Sequence, residues 1–266
     1  MPNLRLKQSI ATWCFPGVPL EDLCKAAVEM GVTGMDLVGA RDWPMLRKYG
    51  ITPCMVQGAG GFGRSTDGAR FGPATGWNHK ENHDALERTA RQNIEQAARA
   101  NVPNVISLFG NRNGIGDEEG MANCVTGLNR VKKFAEDQGV TICLELLNSK
   151  VDHKDYQGDH TSFGVAVVQA VDSPRVKLLY DAYHMQIMEG DVIRTIQQNI
   201  QYIAHFHMAG VPGRHDPDET QEVHWRAVAK AIADLNFTGY IAHEWQPNNA
   251  KDPLPSLRKA VAMMAV

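Results

Sequence analysis

The chain lacks any apolar run long enough to cross a bilayer, and Met1 to Lys7 carry no apolar core of a secretory signal. No membrane partner is expected, and the default compartment is the cytoplasm, with export of a longer precursor left open. Cysteine is scarce. Cys14, Cys24, Cys54, Cys124 and Cys143 make an odd count of five with no C-x-x-C pair. That excludes a cysteine zinc site of the usual spacing and argues for buried free thiols, since several lie in apolar strand-like runs. A dominant charge is also missing: 27 basic and 30 acidic residues leave a net charge of -3, with no basic cluster. Binding to long nucleic acid by phosphate neutralisation is therefore disfavoured. Nor is there a linker rich in Pro, Gly or Ser that would divide the chain. The segment after the first strand-like run, Trp13-Cys14-Phe15-Pro16, is no Gly-rich phosphate turn, which argues against a doubly wound dinucleotide fold.

What is present fits a one-domain α/β protein spanning residues 1–266. The 43% hydrophobic and 21% charged residues are ordinary globular values. A chain of 266 residues can bury roughly three quarters of its unfolded surface without staples. Eight short apolar runs read as strands: Ser9 to Cys14, Gly34 to Val38, Ile51 to Gln57, Asn104 to Phe109, Val140 to Leu146, Val176 to Asp181, Ile203 to Met208 and Tyr240 to Trp245. Helical periodicity separates them. Leu20, Leu23, Cys24, Ala27 and Val28 share one face, with Gly31 as a stop. Leu86, Ala90, Ile94, Ala97 and Ala98 mark a helix in the third unit; Leu128, Val131, Phe134 and Ala135, closed by Gly139, mark the fourth, and Val228, Ala231, Ile232 and Leu235 the seventh. Eight strands, each followed by a helix, close most naturally as a (β/α)8 TIM barrel. The Gly-rich stretch from Gly58 to Trp77, after the third strand, reads as a wall or lid of an active site.

Active sites in such barrels form at the carboxyl ends of the strands. Strands five to eight end in Glu145, Asp181, His207 and Glu244, spaced 36, 26 and 37 residues apart, about one βα unit each. A single carboxylate at a strand end is more often a helix cap, and a single His more often a satisfied polar group. Four at one level on adjacent strands are different. Three carboxylates converging in a cleft repel one another and lose solvation, so they bind protons unless a cation neutralises them. One divalent metal ion is the expected cofactor: Mn2+ or Mg2+ by donor type, with Co2+ or Zn2+ also suited to the set.

The segments Leu144-Glu145-Leu146-Leu147-Asn148, Tyr180-Asp181-Ala182-Tyr183-His184, His205-Phe206-His207, Pro212-Gly213-Arg214-His215 and His243-Glu244-Trp245 resemble those of the xylose isomerase-like TIM barrels. The resemblance is strongest to the hydroxypyruvate isomerase group and the related ketose 3-epimerases. It implies one metal held by Glu145, Asp181, His207 and Glu244, proton transfer by the two glutamates, and contacts from His184 and Arg214 to substrate oxygens. The residues support that chemistry independently. Isomerising an α-hydroxy carbonyl needs a base for a carbon-bound proton and an electrophile for the enediolate oxygens. The expected substrate is a small hydroxy-keto acid or ketose. A homo-oligomer is compatible with the sequence.

Other candidates are weaker. Asn148 binds substrate or caps a turn. Trp13 and Phe109, near the ends of strands one and four, offer aromatic faces to a sugar or pack in the core. His79 and His83 read as surface or loop-anchoring residues. Two before His207, His205 points inward with it, whereas His243 faces the helices. The polar loop from Ser149 to Thr161 has no matching substrate motif. Rival readings are a lyase of the same superfamily, such as a keto-inositol dehydratase, a DNA-repair endonuclease and a non-enzymatic sugar-binding barrel. The endonuclease is disfavoured by the negative charge and by the expectation that strand ends one to four carry no His or Asp set.

Overall fold

In a computed structural model of the chain, residues 5–57, 63–64 and 70–266 are described. Eight parallel strands form: β1 (Lys7–Ala11), β2 (Gly34–Asp36), β3 (Thr52–Gln57), β4 (Asn104–Leu108), β5 (Thr141–Glu145), β6 (Val176–Asp181), β7 (Ile203–Met208) and β8 (Tyr240–His243). They close into a barrel in the order β1-β8-β7-β6-β5-β4-β3-β2. All eight expected strands are present, most trimmed by one to three residues at their ends. Strands β2, β4 and β5 are buried along their whole length. That is the pattern of a parallel sheet covered on both faces, and it explains why these runs do not alternate apolar and polar residues.

Ten α-helices lie among the described residues: α1 (Leu20–Met30), α2 (Trp43–Lys48), α3 (His83–Arg99), α4 (Asp117–Asn129), α5 (Lys132–Gln138), α6 (Thr161–Val171), α7 (Ala182–Met188), α8 (Val192–Asn199), α9 (Trp225–Asp234) and α10 (Leu254–Met263). Gly31 and Gly139 end α1 and α5 in the left-handed conformation, as the spacing predicts. The fourth unit departs from expectation. Its helix is broken in two, with Val131 at φ -119 between α4 and α5. Leu128 and Val131 are nonetheless buried, so the apolar stripe runs across the break.

The chain groups into two compact units, residues 1–54, 191–200 and 205–266 in one, residues 55–190 and 201–204 in the other. In the first, β8 lies between β1 and β7, pairing Ile10 with His243 and Ala242 with His207. On its other side β1 pairs Ala11 with Asp36 of β2. In the second, β5 lies between β4 and β6, with Leu108 and Leu179 opposite Glu145. Within the stretch from Gly58 to Trp77, Gly63–Arg64 and Arg70–Phe71 pair as a short antiparallel hairpin and Pro73–Thr75 form a 3-10 turn; the rest of the expected wall, 58–62 and 65–69, lies outside the described residues.

Candidate metal centre

In the first unit the site is built around Glu244, one residue past β8. Its carboxylate is buried and held from both sides. The Trp13 indole donates to Oε1 at 2.9 Å, Arg214 Nη2 donates to Oε2 at 2.5 Å, and His207 Nδ1 lies 2.9 Å from Oε2. Burial pushes the Glu244 carboxyl up, but the charges of His207 and Arg214 and the hydrogen bonds of His207 and Trp13 outweigh it and hold the group well below the usual carboxylate range. Arg214 sits at φ 57 in the loop after β7, and its guanidinium lies 5.5 Å from the centroid of the Trp13 ring. Its carbonyl accepts Gln246 N–H at 2.8 Å, tying that loop to the segment after β8.

Trp13 follows β1 in a 3-10 turn and is 43% exposed. It is therefore not core: one edge binds Glu244 and its surroundings are open to solvent. His243 is buried, and its Nε2 lies 2.7 Å from Gln8 Oε1; Gln8 in turn donates to Val261 of α10. It faces the helices, as alternation predicts.

One expectation is overturned here. The second strand does end in a carboxylate, Asp36, fully buried. Its Oδ2 lies 2.6 Å from His205 Nε2 and 3.2 Å from His207 Nε2. The two imidazoles pack edge to face, 5.4 Å apart at 82°. Asp36 escaped sequence reasoning because it sits inside Gly-Met-Asp-Leu-Val, where a lone acid reads as a cap or loop charge. Its partners lie 169 and 171 residues away.

In the second unit Glu145 closes β5 and Asp181 closes β6, both buried. Asp181 does what a lone strand-end carboxylate usually does: Oδ1 accepts the N–H groups of Tyr183 and His184 and caps α7. His184 is buried, with Nδ1 accepting the Asn148 N–H at 3.1 Å and Nε2 3.5 Å from Asp181 Oδ2. Asn148 is a turn residue. Its Oδ1 accepts the N–H groups of Val151 and Asp152, and its Nδ2 donates to Asp152 Oδ2 at 2.6 Å. These bonds fit the alternative in which it caps a turn. Phe109 is fully buried and edge-on to Phe163 at 5.5 Å, which fits its alternative of core packing.

The loop from Ser149 to Thr161 has a structural task that its sequence does not reveal. Tyr156, fully buried, accepts Phe109 N–H at 2.9 Å and donates to the Glu145 carbonyl at 2.9 Å. It thus clamps the end of β5 to the residue after β4. Burial pushes its phenol well above the ordinary range, so it stays a neutral donor. His79 and His83 are buried rather than on the surface, and they anchor loops: His83 Nε2 meets the Trp77 carbonyl at 2.9 Å and His79 Nε2 the Asn111 carbonyl at 3.1 Å.

Two groups of metal-competent side chains occur among the described residues, Asp36–His205–His207 and Glu145–Asp181–His207–Glu244, each with one ligand atom per residue within 4.8 Å of the others. The second is the set expected from the strand ends. Three buried carboxylates with one imidazole form a donor set that fits a hard or borderline divalent ion. All five cysteines are buried and free. No helix among the described residues is long and apolar enough to cross a membrane.

The chain belongs to the xylose isomerase-like TIM barrel family, whose model matches residues 24–265. It is 34% identical to a 2-oxo-tetronate isomerase of Cupriavidus necator over 113 residues, 42% of this chain and 43% of the relative. A putative hydroxypyruvate isomerase of Danio rerio is 27% identical over 136 residues, 51% of this chain and 49% of that one. A D-psicose 3-epimerase of Agrobacterium fabrum is 34% identical over 126 residues, 46% of this chain and 41% of that protein. The matched part thus spans less than half the length of each of these curated relatives. Among solved structures, an AP endonuclease of family 2 from Brucella melitensis shares the fold with a TM-score of 0.78 at 21% identity, covering 96% of both chains. The IOLI protein with a binding zinc atom shares it with a TM-score of 0.74 at 15% identity, covering 98% of both.

Proposed function

We propose that this chain is a single-barrel isomerase for small hydroxy-keto acids or ketoses, moving a proton at the carbon next to the carbonyl. The observation that carries this reading is the gathering of Glu145, Asp181, His207 and Glu244, all buried, at the ends of barrel strands. These four residues would hold one divalent ion, with Mn2+ or Mg2+ preferred by the oxygen-rich donor set. When bound, that ion supplies positive charge that keeps the carboxylates ionised and favours negative charge on a substrate oxygen.

Proton movement falls to the glutamates. Glu145 and Glu244 serve as base and acid, one removing the carbon-bound proton and the other returning it. Charge from Arg214 and hydrogen bonds from Arg214 and Trp13 keep Glu244 in the carboxylate form that a base needs. Arg214 and Trp13 form an open, cationic and aromatic edge beside it, suited to a substrate carboxylate or vicinal hydroxyls. The relatives in Cupriavidus necator and Danio rerio support a hydroxy-keto acid substrate.

Ketose 3-epimerisation is the second reading, favoured by the 34% identity to a D-psicose 3-epimerase. One experiment separates these and tests both. The purified protein is analysed for metal, then incubated in deuterium oxide with a panel of hydroxy-keto acids and ketoses. Deuterium at the carbon beside the carbonyl is expected, with a shifted carbonyl for isomerisation and an inverted centre for epimerisation. No incorporation with any compound refutes proton transfer.

A further inference from the structure

His207 carries two ring nitrogens with different surroundings. Nδ1 faces Glu244 Oε2 at 2.9 Å, while Nε2 faces Asp36 Oδ2 at 3.2 Å. We propose that Asp36 is a positioning residue for the metal centre: by accepting the Nε2–H of His207 it leaves Nδ1 as the atom presented to a divalent cation. This rests on the metal reading proposed above and adds to it a residue outside the four ligands.

The case rests on what Asp36 touches. It is fully buried, so its carboxylate must find donors within the protein. His205 Nε2 lies 2.6 Å from Oδ2, and Cys54 Sγ lies 2.7 Å from Oδ1 and can donate its S–H there. With two donors already aimed at it, Asp36 acts as an acceptor, and the third group within reach, His207 Nε2, supplies a proton rather than a lone pair. A carboxylate behind a ligating imidazole fixes the ring's orientation and tautomer and raises its basicity. The histidine on the far side serves the same end. His205 packs edge to face against His207 and holds the Asp36 oxygen from the other side, so the carboxylate cannot swing away.

The competing role is that of ligand, since Asp36, His205 and His207 also lie close enough to hold an ion of their own. The 2.6 Å approach of His205 to Asp36 favours a direct hydrogen bond over a shared cation.

Three measurements test the proposal. In the metal-free and in the Zn2+-loaded wild-type chain, 15N-edited NMR of the imidazoles, with His207 assigned by a His207→Asn variant, is expected to show a proton on Nε2. An unprotonated Nε2 in either form overturns the proposal, and this arm requires no change at Asp36. Titration of Asp36→Asn with Mn2+ is expected to show an affinity roughly 10- to 100-fold weaker than wild type, with far-UV circular dichroism unchanged. Equal affinity in a folded variant overturns it. One ion per wild-type chain is expected at saturation; two overturn it, because Asp36 would then be a ligand. A wild-type chain that takes up no Mn2+ yet shows the expected Nε2 proton refutes the metal centre itself, not the hydrogen bond.

Discussion

Replacing Tyr156 by Phe removes one oxygen from the protein and tests how the end of β5 is held. The ring stays, so core packing is conserved and the change isolates the hydroxyl. Two hydrogen bonds disappear, one from Phe109 N–H and one to the Glu145 carbonyl. The site is dry, so the Phe109 N–H loses its hydroxyl acceptor without a compensating bond to bulk water. Losing the pair under those conditions costs roughly 2–4 kcal/mol. Unfolding entropy is about 2.1 cal/mol/K per residue, or about 0.56 kcal/mol/K for a chain of 266 residues. The melting temperature should therefore fall by about 4–7 °C. Thermal unfolding followed by circular dichroism, variant beside wild type, reads this directly. Because Glu145 is a proposed proton carrier, turnover should fall too, on the order of tenfold, through its looser placement. A variant melting within about 1 °C of wild type, with turnover intact, would refute the argument that Tyr156 clamps β5.

Other outcomes follow from the same geometry. Glu145→Gln and Glu244→Gln should each lower turnover by at least ~100-fold while leaving the far-UV spectrum unchanged; activity near wild type in either would remove that residue from the proton path. Glu21, on the surface of α1, is held down to about 2 by hydrogen bonds from Lys48 and Tyr49 and by the Lys48 charge. Its folded value lies below the ordinary 4.5, so its contribution is present above that value and is lost as pH falls through 4.5 towards about 2. Acid titrations of Glu21→Gln should accordingly show a shallower loss of stability in that window; an unchanged slope would count the pair as fully screened. The five thiols are buried, with burial pushing Cys24 up to about 11. A thiol reagent such as DTNB should modify essentially none in the native chain and all five after denaturation, and fast native labelling would contradict the burial.

The barrel and its candidate metal-binding cluster were legible because they are carried by local pattern. Apolar runs of strand length recur about once per βα unit, and Glu145, Asp181, His207 and Glu244 all lie within one residue of the end of such a run. What the local pattern did not reveal depended on how the chain folds back on itself. Asp36 looks like an incidental acid until it meets His205 and His207 from the far end of the chain. Asn148 and Phe109 stand beside strand ends, where the active face is expected. One makes turn hydrogen bonds to Val151 and Asp152 and the other packs edge-on against Phe163, neither of which a strand-end position announces. Tyr156 gave no signal at all, because a tyrosine in a polar loop becomes a clamp only when that loop folds back on β5. The split between α4 and α5 was invisible because the apolar stripe continues across it.

Of the five tryptophans, Trp43, Trp77, Trp225 and Trp245 are buried, whereas Trp13 is 43% exposed and donates its indole N–H to Glu244. The molecule thus carries its own optical reporter. The four interior rings emit from a dry, constant environment, while the emission of Trp13 lies further to the red and is open to iodide quenching. Any event that draws on the Glu244 carboxylate or seats a molecule against the Arg214–Trp13 edge will change that component. Occupancy of the site can then be followed in an unlabelled chain, before a turnover assay has been found.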